Sequence, residues 1–127
     1  MLPNFLLPET VVRQDGTGSP LALSDAAGTP LLLTLGITSI IEQESLDVAV
    51  YGSADGETWN DKPLVAFPQK FYCGTYALLL DLSANPEVKY LRVQWKMNRW
   101  GRGEPKPMFG FYVFAQEAAK VASRAVA

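Results

Sequence analysis

The sequence contains no histidine and only one cysteine, Cys73. Without histidine the chain lacks the usual general base near neutral pH, the partner of serine and cysteine nucleophiles, and the commonest zinc ligand. A lone cysteine excludes an intrachain disulfide and a thiolate metal cluster. Long apolar runs are missing too: Leu31 to Ile41 is interrupted by Thr34, Gly36, Thr38 and Ser39, and it is about half the roughly 20 residues a membrane-spanning helix needs. No basic residue precedes the short apolar stretch of Met1 to Glu9, unlike a secretory signal. These absences predict a soluble, non-enzymatic protein of the cytoplasm or of a virion, with no catalytic residues, cofactor or metal.

The 127 residues are 48% hydrophobic and 19% charged, enough apolar surface for one compact core and too little length for two. Pro3, Pro8, Pro20 and the cluster Asp15-Gly16-Thr17-Gly18-Ser19 predict an N-terminal arm over residues 1–20 with little regular structure. From Leu21 onward strand signals follow at intervals of about 8 to 12 residues. Leu21–Leu23 and Leu31–Ile41 come first, the latter apolar enough to predict burial on both sides. Leu46, Val48 and Val50 alternate with polar or small neighbours, as do Leu91, Val93, Trp95 and Met97 within Val88–Met97. Leu64–Phe67, Tyr76–Leu82 and Met108–Phe114 complete the set, with Gly110 predicting a bulge or a close backbone approach. The fold expected is an all-β antiparallel sandwich or jelly roll of about seven to eight strands over residues 21–115. Residues 116–127 form an alanine-rich tail of helical propensity, whose apolar side (Ala118, Val121, Ala122, Ala125) would order only by docking.

The net charge of −2 conceals a division. Residues 1–61 carry nine acids and one base, giving −8, whereas residues 62–127 carry ten bases and four acids, giving +6. Two readings follow: neighbouring strands neutralise one another across a ladder, or the molecule has an acidic and a basic face that steer it onto partners.

Candidates for chemistry are few. Glu42 and Glu44 lie two apart, with Asp47 near, but a solvated turn explains them better than a glycosidase pair. Asp55, Glu57 and Asp61 lack the ligand and glycine pattern of a calcium loop. Cys73 has no histidine to activate it, which favours a buried structural role. The glycines around Arg102 match no phosphate-binding loop. For binding, the interface or ligand candidates are Arg92, Lys96, Arg99, Trp100, Arg102 and Lys106, with Tyr72 from an aromatic loop. Arginine forks and an exposed indole suit a protein surface, a sugar ring or phosphates, although a pI near 5.0 disfavours nucleic acid.

Ser53-Ala54-Asp55-Gly56-Glu57-Thr58-Trp59 is the clearest local signal, a hairpin in which Ser53, Asp55, Gly56 and Trp59 serve the fold. Together with Tyr90-Leu91-Arg92-Val93 it resembles a pattern in two families of sandwiches, and the likeness covers about half the chain. One is the small capsid cement or decoration proteins of tailed phages. The other is the discoidin-type, galactose-binding-like domain, which binds sugars or lipid head groups through end loops. The first resemblance implies a structural or decoration subunit whose partners are copies of itself or a larger protein scaffold. The second implies a carbohydrate-binding module with Trp100, Tyr72 and Arg102 on the glycan. Discoidin domains are usually longer and exported, so assembly is the favoured expectation, with ring, trimer and filament symmetries all compatible.

Overall fold

The computed structural model describes residues 2–41, 44–99 and 108–118. Nine strands follow in order: β1 (Asn4–Val12), β2 (Gly16–Thr17), β3 (Leu21–Ala22), β4 (Pro30–Ile40), β5 (Glu44–Ser53), β6 (Val65–Ala66), β7 (Gly74–Asp81), β8 (Tyr90–Arg99) and β9 (Phe109–Glu117). A four-stranded sheet runs β1-β9-β4-β7, and a second runs β2-β8-β5-β6 with β3 also on β8. Every ladder is antiparallel. The two sheets pack face to face as an all-β sandwich, and no helix among the described residues is long and apolar enough to cross a membrane.

Period-two alternation builds the core. The first sheet contributes Leu31, Leu33, Leu35, Ile37, Phe109, Phe111, Val113 and Ala115, and the second Leu46, Val48, Val50, Leu91, Val93 and Trp95, all buried. Trp95 meets Phe111 edge to face across the interior, ring centroids 5.7 Å apart. Its Nε1 donates to the Gln14 carbonyl at 2.9 Å, so the indole buries its ring without losing its hydrogen bond. The Thr38 position is an extra residue between Ile37 and Ser39 opposite Phe111 and Gly110, the bulge that Gly110 foretold.

Several expectations need correction. Residues 4–12 are not part of an arm but an edge strand, β1, laid on β9. Its prolines misled because an edge strand tolerates a missing N–H: Pro8 sits where the ladder slips between Leu7 and Thr10, while the other slip, between Phe5 and Leu7, inserts Leu6 so that Leu6 and Leu7 both reach the core. Residues 16–17 likewise pair with β8 as β2, which with β1 raises the seven expected strands to nine, the strand expected at Leu21 being β3. β9 continues through Glu117, opposite Leu31, two residues past the expected end of the sandwich; the tail from residue 119 lies outside the described residues. Burial of β4 on both sides does not occur, since only its odd positions from Leu31 to Ile37, with Gly36, are buried, while Leu32 and Thr34 are half-covered.

The Ser53–Trp59 signal forms a longer connection, residues 54–64, that returns to β6. Gly56, at φ 81°, takes the left-handed angle that glycine accepts freely. Ser53 Oγ accepts from the N–H of Gly56 at 2.8 Å and donates to the Thr58 carbonyl at 2.6 Å. Asp55 Oδ1 accepts from the N–H groups of Thr58 and Glu57 at 2.8 and 2.9 Å. Those donors, Thr58 first, hold its carboxyl below the ordinary aspartate range. A depressed carboxyl stabilises the fold above its unfolded-state value and stops doing so as pH falls through the folded one. Thermal melts of wild type and Asp55→Asn should therefore differ in favour of wild type above about pH 5 and converge as acid protonates Asp55.

Candidate functional site

The two outer faces of the sandwich differ in kind. On the second sheet, Tyr90, Arg92, Gln94 and Lys96 of β8 lie beside Asp47, Ala49 and Tyr51 of β5. The register sets Glu44 opposite Arg99 and Asp47 opposite Lys96. Asp47 and Lys96 are thus an acid and a base side by side on the outward face of neighbouring strands, the arrangement of the ladder reading, whereas most of the basic stretch from Arg99 to Lys106 lies outside the described residues.

The predicted binding residues separate under this geometry. Arg92 points outward, but its guanidinium carbon stands 4.3 Å over the Trp59 ring, so Trp59 is half-buried beneath a cation and the pair fastens the 54–64 connection to β8. Lys96 is exposed on the same face. Tyr72 is 73% exposed beside Phe71 at the tip of the loop before β7, and its carbonyl accepts from the Tyr76 hydroxyl at 3.3 Å. Trp100, Arg102 and Lys106 lie outside the described residues, as does the Arg99 side chain.

Two further residues stand otherwise than expected. Cys73 is exposed, not buried, because it belongs to that loop and not to a strand. Glu44 is 1% exposed and no part of a solvated turn: its Oε2 accepts from the Ile41 N–H at 3.0 Å and its Oε1 from the Met108 N–H at 2.9 Å. A carboxylate spent on two backbone donors at the ends of β4 and β9 is a structural clamp, while Glu42 lies outside the described residues.

The outer face of the first sheet is different. Its outward positions are Phe5 and Val11 on β1, Tyr112, Phe114 and Gln116 on β9, Leu32, Thr34 and Gly36 on β4, and Thr75, Ala77 and Leu79 on β7. None of these carries a charge; the charges on this face lie at its margins, Asp81, exposed in line with Leu79 at the end of β7, and Glu9, exposed where β1 slips on β9. Phe5 sits edge-on to Phe114 and Tyr112, centroids 5.0 and 5.8 Å away, and Tyr112 lies across Gly36 so closely that a Cβ there would fall 2.2 Å from its ring. Val11 is 63% and Leu79 57% exposed.

The charged and aromatic residues that mark a binding surface in the sequence lie on β8 and the loop after it, whereas this patch has no charged motif. The signal was the absence of charge in Leu31–Ile41 and Met108–Phe114, whose interruptions are only threonine, serine and glycine. A strand without polar alternation has two apolar faces, and only one of them fits inside a two-layer sandwich.

Shallow grooves flank both faces. One of about 490 Å³ runs along residues 11–17 under Trp95, and another of about 200 Å³ lies between Tyr51, Ala66 and Lys96. Neither brings together three acidic or thiol side chains, and no such group exists among the described residues. Compared with models of known protein families and with curated proteins, the chain matches none.

Replacing Glu44 tests the clamp. Glu44→Ala leaves two partly buried N–H groups without an acceptor and should lower unfolding free energy in a denaturant melt by about 2–3 kcal/mol, with Glu44→Gln losing less.

Proposed function

We propose that this protein is a non-enzymatic assembly subunit, a β-sandwich component of a larger protein particle that acts through protein-protein contacts. The observation that carries the reading is the apolar patch on the outer face of the first sheet, with Phe5, Val11, Leu32, Leu79, Tyr112 and Phe114 on one surface and charges only at its margins, Glu9 and Asp81. Contiguous exposed apolar surface of this kind is costly to leave in water and marks contact with another protein. Four strands at about 4.8 Å spacing and some seven residues of length give a footprint of roughly 400 Å². That is about half of what one partner contributes to a standard stable interface, which suits a subunit held by several modest, repeated contacts. A capsid cement or decoration role is the specific form suggested by the resemblance of the Ser53–Trp59 segment and the β8 strand to such proteins.

A carbohydrate-binding role is the second reading, favoured by Tyr72 standing exposed beside Phe71. It requires a saturable glycan signal that Tyr72→Ala removes.

Analytical ultracentrifugation tests the assembly reading. The wild-type protein should self-associate, or sediment with a scaffold from its source, and a Phe5→Lys, Val11→Lys double variant should weaken that association. Both side chains are already exposed, so the variant should keep its fold. A protein that stays monomeric at every concentration and takes up no scaffold refutes the proposal.

A further inference from the structure

A sheet edge invites pairing unless something blocks it, and the outermost strands among the described residues are treated unequally. β3, like β2 and β6, is only two residues long. β1 contains Pro8 and Glu9 and breaks register twice. β7 has none of these protections: it runs eight residues, Gly74–Asp81, in unbroken register with β4, without lysine or proline, and its only charge is Asp81 at the end. Among the described residues it is paired on one side alone.

Its free backbone groups can be assigned. The Leu82 N–H donates to the Thr29 carbonyl at 3.3 Å, which fixes the phase of the ladder: the even positions of β7 bond to β4. By antiparallel alternation the N–H and C=O groups of Thr75, Ala77, Leu79 and Asp81 then point away from the sheet. The side chains of this edge are also unfinished. Leu79 is more than half exposed and Leu78, on the inward side, is only half-buried, whereas Tyr76 is covered by Lys70, whose Nζ stands 3.9 Å from its ring centroid.

We infer that β7 is an assembly edge, pairing antiparallel with β7 of a second copy of this chain about a two-fold axis. The inference rests on the assembly reading above and names its partner and geometry. The outward groups all belong to odd-numbered residues, so the two strands must meet odd opposite odd. The register centred on Leu78 meets that condition and pairs residues 75–81 in full. It sets Ala77 against Leu79 of the second copy, and Thr75 against Asp81 of the second copy, so the two Asp81 carboxylates stay apart. Leu78 meets its own copy on the inward side, closing the half-open rim, while Ala77 and Leu79 join the two outer faces into one eight-stranded surface. Doubling the footprint gives roughly 800 Å², the usual contribution of one partner to a stable interface. Backbone pairing of this kind supplies affinity, and the side chains on either face supply register.

Disulfide trapping tests the register in the full chain, with Cys73→Ser removing the native thiol. Leu78→Cys should oxidise to a covalent dimer, because directly opposed non-hydrogen-bonded positions bring Cα atoms to about 4.5 Å, within disulfide reach. Ala77→Pro removes an outward donor without touching the β4 ladder and should weaken association by about tenfold or more. If circular dichroism shows that this variant fails to fold, Thr75→Lys with Ala77→Lys blocks the same edge. Cross-linking together with loss of association supports the inference. Association that persists in the edge variants, with Leu78→Cys uncross-linked, overturns β7 pairing and leaves the assembly reading standing, pointing to another protein or the chain's own tail as occupant. Monomer throughout, with no scaffold bound, overturns both.

Discussion

The Trp95 indole joins three parts of the molecule that would otherwise be separate layers. It stands on β8, meets Phe111 of the opposite sheet edge to face, and donates to the carbonyl of Gln14. An aromatic pair of this geometry adds about 0.5–1.5 kcal/mol to what burial alone gives. The hydrogen bond brings residues 14–17 to the rim of β8, where Asp15 Oδ1 accepts from the Met97 N–H at 2.8 Å and Gly16 and Thr17 extend the sheet. β1 precedes this segment and lies on β9, so the chain from residue 4 to residue 22 crosses from one sheet to the other around that anchor.

Once the two sheets face each other across Trp95 and Phe111, the remaining surfaces are fixed by alternation. Each core residue sends its neighbour outward, and the composition of those neighbours decides what each face does. The second sheet turns outward a mixture of acids, bases, amides and a covered tryptophan, a surface that water satisfies. The first turns outward phenylalanine, tyrosine, leucine, valine and threonine, which water does not. The same asymmetry appears at the edges: β1 is broken by Pro8, whereas β7 is regular and bare. The apolar face and the unprotected edge belong to the same sheet, so the proposed pairing of β7 would engage both.

The seven strands expected from residue 21 onward are all present, because alternation and turn chemistry are local properties of the chain. Leu46, Val48 and Val50, and Leu91, Val93 and Trp95, face inward as their spacing implied. β1 was illegible because proline at an edge and proline in a loop look alike without knowledge of the neighbour. Glu44 resembled a solvated acid until β9 brought the Met108 N–H to its carboxylate. Of the predicted binding residues, Arg92 proved occupied by Trp59, a contact between positions 33 apart in sequence.

The sequence by itself determined the class of fold, the inward residues of the main strands and the lack of histidine-based chemistry, all of which depend on composition or on neighbours a few residues away. Tertiary structure decided the rest. It set Asp47 beside Lys96 by pairing β5 with β8, and it converted the proline-rich start into an edge strand. It also exposed the second apolar face of β4 and β9, since a two-layer sandwich covers each sheet on one side only. Which strand ends a sheet, and which face has no layer above it, are properties of long-range pairing that no local pattern encodes.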